Sequence, residues 1–286
     1  MSGFKIITAD ERMSTHDGIK GVIFGPAKIG KTSLLWTLDP ESTLFVDLEA
    51  GGLSVQGWQG DSIEVRTWGF ARDLACFLGG PNPAMRPEQN YSQAHYDTIL
   101  PAFGSPEILD KYKTIFVDSI TVASRLCWQY CTGQPEAFSE KTGKPDTRGT
   151  FGLLGREMVA WLTQLQHIKN RNIWFVGLLN VKKDDFNQTY YEPQIEGSKT
   201  GYELPGIMDQ VVSMTELPGE NGTSYRAFVC DKMNRWGLPA GDRSCKLDEI
   251  EPPHLGRLMD KIKNGEKRNP AEYLYNIDNM IGENHE

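Results

Sequence analysis

Short apolar runs recur along the chain, each closed by a polar residue and set apart by polar or amphipathic stretches. Ile19 to Phe24, Thr43-Leu44-Phe45-Val46-Asp47, Tyr112 to Asp118 and Asn172 to Asn180 are too short for core helices and too uniformly apolar for half-exposed strands, which predicts buried strands. Ser62-Ile63-Glu64-Val65-Arg66 alternates and reads as a short or edge strand, while Val211-Val212-Ser213-Met214 and Tyr225 to Cys230 read as terminal strands. Between them lie helical patterns: Ser33 to Leu38, Phe70 to Leu78 before Gly79-Gly80, and a stripe of Leu154, Met158, Trp161, Leu165 and Ile168 that marks a core-facing amphipathic helix. A last short helix is expected after Glu251-Pro252-Pro253, running to Ile262, before a weakly ordered tail of twenty-odd residues. Pro81 to Gln93 reads as a loop, as do the long polar segments Thr132 to Thr150 and Val181 to Pro205, the latter with Tyr190 and Tyr191 in a hairpin. No internal repeat is present. The alternation predicts an α/β fold, a mostly parallel twisted sheet with helices on both faces. It divides the chain into an N-terminal arm (1–18), a core (19–250) and a C-terminal helix and tail (251–286).

Between the first strand and the first helical segment stands Gly25-Pro26-Ala27-Lys28-Ile29-Gly30-Lys31-Thr32, which fits G-x-x-x-x-G-K-[ST]. The glycines let the backbone fold around an anion, so that successive N–H groups and the helix start point at phosphate oxygens. Gly25 through Ser33 is therefore the expected ATP-binding segment. Lys31 would reach the β- and γ-phosphates, and the Thr32 hydroxyl would ligate Mg²⁺. A glycine-rich turn without a ligand is the plain alternative; the strand before and the helix after speak against it.

Composition narrows the setting without changing this picture. The 286 residues are 39% hydrophobic and 24% charged, as in ordinary globular proteins, and can bury one large core. No apolar run approaches the ~20 residues of a membrane span, and the polar, mixed-charge Met1 to Asp17 is no signal peptide. Five cysteines without metal spacing suggest reduced thiols and a cytoplasmic protein. A net charge of −8 provides no global field for nucleic acid, so any DNA contact must be local.

Hydrolysis needs more than a phosphate loop: an acid to hold Mg²⁺ and a group to activate water. Asp118 ends an apolar strand and is the expected Mg²⁺-binding acid, unless it is merely a solvated strand terminus. Glu49 is the candidate general base that polarises water, with Asp47 orienting that water or capping the next turn at Gly51-Gly52. Asn180 ends a third buried strand, where its carboxamide would sense the γ-phosphate or simply begin a turn.

With these residues on the page, the chain resembles the RecA-type recombinase core, a P-loop NTPase fold, over the loop Gly25 to Thr32, Phe45-Val46-Asp47-Leu48-Glu49 and Ile115-Phe116-Val117-Asp118-Ser119, in that order. More closely, it is similar to phage-encoded RecA-like ATPases grouped with the Sak-type single-strand annealing proteins. That closer likeness rests on the phosphate loop, Val181-Lys182-Lys183-Asp184 and Lys232-Met233-Asn234-Arg235-Trp236-Gly237, and spans roughly residues 19 to 250. The resemblance implies Glu49 as catalytic base, Asn180 as γ-phosphate sensor, and Lys232 and Arg235 as cations reaching a neighbouring subunit's γ-phosphate; a solvated basic turn is the plainer account of the last two. It further implies ATP hydrolysis coupled to single-stranded DNA in recombination or repair, a homo-oligomer, a single-strand DNA-binding protein as a further candidate partner, and a host bacterial cytoplasm. The two long loops fall where the recombinase core carries its DNA-binding loops; they hold Lys141, Lys144, Arg148, Lys182, Lys183 and Lys199 with Phe186, Tyr190 and Tyr191 as stacking groups, or are simply solvated. RecA proper has a large N-terminal polymerisation element that some eighteen leading residues do not match.

Three other readings stand beside this one. A nucleoside or nucleotide kinase would pair the same loop with an arginine-rich lid, but Arg148 and Arg156 are isolated. A partitioning-type ATPase would place a lysine where Pro26 stands. A nucleotide-gated interaction module with little turnover would use ATP only to order loops for a partner.

Overall fold

The computed structural model describes residues 6–14, 18–219 and 222–267; most of the expected tail lies outside the described residues, as do 1–5 and 15–17 of the N-terminal arm. After a short helix α1 (Ala9–Ser14) come β1 (Lys20–Gly25), β2 (Thr43–Asp47), β3 (Asp61–Glu64), α2 (Trp68–Gly79), α3 (Gln93–Phe103), β4 (Thr114–Asp118), α4 (Ile120–Thr132) and α5 (Thr147–Gln166). Then follow β5 (Asn172–Lys183), β6 (Thr189–Pro193), α6 (Ser198–Ile207), β7 (Gln210–Pro218), β8 (Ser224–Val229), β9 (Gly241–Asp242), β10 (Ile250–Glu251) and α7 (Leu255–Asn264). The sheet order is β10-β8-β7-β1-β5-β4-β2-β3, with β6 paired to β5 and β9 to β7. From β7 to β3 the neighbours run parallel; β8 returns antiparallel along β7. This is the mostly parallel α/β architecture that the alternation predicts.

Each central strand is buried on both faces, and successive residues serve two different cores. Val22, Phe24, Val46, Ile115, Val117, Ile173 and Phe175 pack under α2, α4 and α5, whereas Ile23, Phe45, Phe116, Trp174 and Val176 pack on the other side with Leu34, Leu35 and α7. The predicted stripe is buried: Leu154, Met158, Trp161 and Leu165 on α5, and Ile168 just past its end. Helices cover both faces unequally. The segment after the phosphate loop is a six-residue 3-10 helix, Thr32–Thr37, rather than an α-helix. Asp39-Pro40 follows at once, and a proline bars the helix from continuing. The C-terminal helix α7 completes that thin layer, with the Leu255 amide donating to Thr37 Oγ1 at 3.0 Å.

Besides the short α1, three helices were not foreseen: α3, α4 and α6. The first two are opened by serine caps, Ser92 accepting from the His95 amide at 3.2 Å and Ser119 from Val122 at 3.3 Å. The 132–150 segment is not structureless either. It contains a 3-10 turn at Pro135–Ala137 and a small bridge between Phe138 and Pro145, and it enters α5 through an Asp146 cap. No helix among the described residues is long and apolar enough to cross a membrane.

Candidate nucleotide site

Register brings the separate motifs to one edge of the sheet. Asp47 lies opposite Asp118, Asp118 opposite Val176, and Gly25 opposite Leu178, so the ends of β1, β2 and β4 meet beside the middle of β5. There Ala27, Lys28, Gly30, Lys31, Thr32, Ser33, Glu49, Ser54, Asp118 and Leu178 line an open cleft of about 460 Å³. The loop turns through left-handed backbone at Lys28 (φ 64°) and Gly30 (φ 104°). Gly25 cannot carry a side chain, because a Cβ there would stand 2.5 Å from the Met214 carbonyl oxygen of β7. The loop thus rests directly on the neighbouring strand.

Charges inside the cleft are desolvated and cross-linked. Asp118 is 3% exposed, and burial pushes its carboxyl up to about 6, against the Thr32 hydroxyl bond and Lys31, which pull it down. Thr32 Oγ1 donates to Asp118 Oδ2 at 2.5 Å, so the two oxygens expected to serve Mg²⁺ already sit side by side. The Lys31 ammonium donates to the Gly25 and Pro26 carbonyls at 3.0 and 2.8 Å. Burial lowers its pKa, while Asp118 and Glu49 oppose that shift. Among the described residues no group of three or more His, Cys, Asp or Glu could hold a metal by itself. One carboxylate and one hydroxyl suit an ion that arrives with phosphate oxygens and water as its remaining ligands, the habit of Mg²⁺.

Glu49 is held from two sides. Its carboxylate accepts a short hydrogen bond from the Ser119 hydroxyl, and its amide donates to Asp47 Oδ1 at 2.9 Å. Asp47 Oδ1 also accepts from the Ala50 amide at 2.8 Å, which secures a turn with Ala50 at φ 58°. Asp47 is therefore the cap of that turn, one of the two roles left open for it. Arg66 binds Asp47 as well, donating to its carbonyl at 2.9 Å, so this arginine belongs to the turn. Ser119 was not singled out from the sequence; its place directly after Asp118 was the available signal.

The family model for the AAA domain matches residues 17–244, most of the chain. The chain belongs to the AAA domain family. Among solved structures it is similar to the RadB recombinase, at 10% identity over 75% of this chain and 89% of that one, with a TM-score of 0.33. It is also similar to a prototypical ATPase of a type III secretion system of pathogenic bacteria, at 14% identity over 70% of this chain and 51% of that one, again with a TM-score of 0.33. No curated protein matches the sequence.

In this AAA-domain chain the remaining candidates lie farther from the loop. Asn180 stands on β5 two residues beyond Leu178, paired with Glu192 of β6. It shares the face of Leu178 by strand alternation but is not among the cleft-lining residues. Lys232 and Arg235 are not brought to the phosphate loop of their own chain. Because β8 is antiparallel, its end leads away from the loop, and the segment after it packs by Met208, Asp209 and Val211 at the start of β7. Arg235 there lies over the Trp236 ring at 5.1 Å. The basic residue that β8 does place near the loop is Arg226, whose Nη1 would stand 3.2 Å from a Cβ built on Gly30. Sequence reasoning passed over it because strand direction decides which end of β8 meets the loop, and the residues alone do not state it.

Proposed function

We propose that the protein is a Mg²⁺-dependent ATPase whose turnover is coupled to single-stranded DNA, acting as a homo-oligomer in recombination or repair of the phage annealing type. The observation that carries the catalytic part is the convergence of the phosphate loop, the Thr32–Asp118 pair and the Ser119-held Glu49 on one sheet edge. Loop amides and Lys31 hold the β- and γ-phosphates; Thr32 and Asp118 are the residues that would hold Mg²⁺, which would neutralise charge on the transferring phosphoryl group. Glu49 takes the proton of the attacking water: Ser119 engages one carboxylate oxygen and leaves the second for that water. Asn180, on the face of β5 that it shares with the cleft-lining Leu178, senses the γ-phosphate. Lys232 and Arg235 act on a neighbouring subunit's nucleotide, since their position in the chain denies them their own.

The β5–β6 hairpin supports the DNA part. It rises from the edge that holds the phosphate loop, pairs Lys182 with Tyr190 and Lys183 with Thr189, and leaves Phe186 84% exposed at its tip. The Asp184 carboxylate shapes the tip by accepting from the Phe186 and Gln188 amides. The segment leading into α5 lies close by, because Phe151 and Leu154 pack against Gly197 just beyond the hairpin. Exposed lysines beside stackable rings suit a single strand without sequence preference. The net charge of −8 requires this binding to depend on nucleotide or assembly.

ATPase rate measured with and without single-stranded DNA, in the wild type and in Lys31→Ala, tests the reading. Stimulated turnover that is absent in Lys31→Ala is the expected result. Turnover that follows an added nucleoside instead would make the protein a kinase, and unchanged ATP affinity in Lys31→Ala would remove the loop from the account.

A further inference from the structure

We propose that Arg226 binds the nucleotide of its own chain, on the nucleoside side, at the α-phosphate. This rests on the phosphate loop being a nucleotide site. Asp118 ends β4 and Glu49 stands in the turn after β2, and both strands lie on the β5 side of β1. A triphosphate whose γ end meets those acids must extend its α end and nucleoside toward the other side of β1, where β7 and β8 stand. There the antiparallel pair β7–β8 touches the loop. A Cβ on Gly30 would lie 3.7 Å from Met214 Cε and 3.2 Å from Arg226 Nη1, so this glycine lets a guanidinium approach the loop where a side chain would crowd it.

Arg226 is placed to turn toward a ligand. Its ion pair with Glu216, the residue opposite it on β7, is loose at 4.0 Å, with both side chains more than half exposed (54% and 57%). Such a pair is worth little and yields readily to a phosphate, for which the planar guanidinium fork is well matched. Phe228, on the same face of β8, is buried under the 3-10 helix and anchors the strand. The guanidinium therefore has a fixed base and a mobile end.

The α-phosphate is common to ATP and ADP and does not change charge during γ-phosphoryl transfer. Its contact therefore strengthens binding uniformly, raising affinity without raising turnover. Calorimetric titration of a non-hydrolysable ATP analogue and of ADP, each with Mg²⁺, into the wild type, Arg226→Ala and Arg226→Lys, together with turnover at saturating ATP, separates the possibilities. Loss of one charge-assisted contact should weaken both nucleotides roughly tenfold in Arg226→Ala, with partial recovery in Arg226→Lys and turnover within about twofold of wild type. Melting temperatures equal to wild type would show that the fold is retained, as the exposure of this side chain leads one to expect. Affinities within twofold for both nucleotides, in a wild type that binds them, would overturn the assignment of Arg226 alone. A fall in turnover at unchanged affinity would also overturn it and place the guanidinium on the transferring phosphoryl group. A wild type that binds neither nucleotide would overturn the site itself.

Discussion

Strand β5 passes through two environments. From Asn172 to Gly177 it is buried between two cores, and from Val181 to Lys183 it is exposed. Its inner half lies beside Asp118, and Leu178 just beyond it lies opposite Gly25 and walls a cleft where the Asp118 carboxylate is desolvated and hydrogen-bonded before any ligand arrives. Its outer half carries the hairpin, where Lys182 meets Glu192 in a solvated pair at 2.5 Å and Phe186 touches water. Preorganised charges of the first kind act on a reacting group without reorganising. Groups of the second kind gain their effect only when a ligand orders them, and salt screens them. One strand thus ties the candidate nucleotide site to the proposed DNA element, and substitutions in the two halves should separate the two roles.

Glu49→Gln should make the sharpest break. The Ser119 hydroxyl can still donate to a carboxamide oxygen, and the Asp47 cap is untouched, so ATP affinity should hold while turnover falls by about 10²–10⁴-fold. Single-turnover hydrolysis beside calorimetry measures both quantities. A loss below about threefold would take Glu49 out of the base role.

On the hairpin the expected effects are smaller and of the opposite kind. Phe186→Ala should weaken single-stranded DNA binding by roughly tenfold, the scale of one stacked base, and Lys183→Ala should reduce the salt dependence of binding. Basal ATPase without DNA should stay unchanged in both. Fluorescence anisotropy with a labelled oligonucleotide and a non-hydrolysable ATP analogue reads the first effect, repeated across a salt series for the second. If both variants bind like wild type, the hairpin is not a DNA element.

The same division explains what could be read from the residues. The strands of the inner sheet were legible because burial on both faces leaves almost no polar position, as in Thr114-Ile115-Phe116-Val117-Asp118. That Gly25 to Thr32 and Asp118 would meet at one sheet edge was legible because the first fits a fixed motif and the second ends an apolar strand. Helix α4 was missed although Ile120, Ala123, Cys127 and Cys131 form a helical stripe, since their small and sulfur-bearing side chains dilute the apolar signal. In α6, Pro205 near its end and Gly201 within it pointed to a loop. The geometry around Glu49 depends on Ser119, a partner seventy residues away in sequence, and Arg226 depends on strand direction. Spacing along a chain reports neither.

Asp118 offers the finest comparison, because it asks how much stability the cleft gives up for its charge. Its carboxyl is raised from 3.8 to about 6 by burial, a rise of about two units, so the folded nucleotide-free chain holds its proton more tightly than the unfolded chain does. Between about pH 4 and pH 6 the folded state carries the extra proton, and stability falls as pH rises through that window. Above it the full penalty persists, at most roughly 3 kcal/mol. Asp118→Asn keeps an oxygen to accept the Thr32 hydroxyl and removes the buried charge. At pH 7.5 without nucleotide its melting temperature should therefore exceed that of wild type by a few degrees, and the gap should close by about pH 4. Mg²⁺ binding runs the other way. It needs the ionised carboxylate, so the Mg²⁺-dependent part of ATP affinity in the wild type should weaken as pH drops below about 6, while Asp118→Asn shows weak Mg²⁺ dependence at every pH. Thermal melts over a pH series, with and without Mg²⁺ and nucleotide, read both signs in one experiment. A variant that melts lower than wild type at pH 7.5 without nucleotide would mean that the charged form of Asp118 stabilises the cleft.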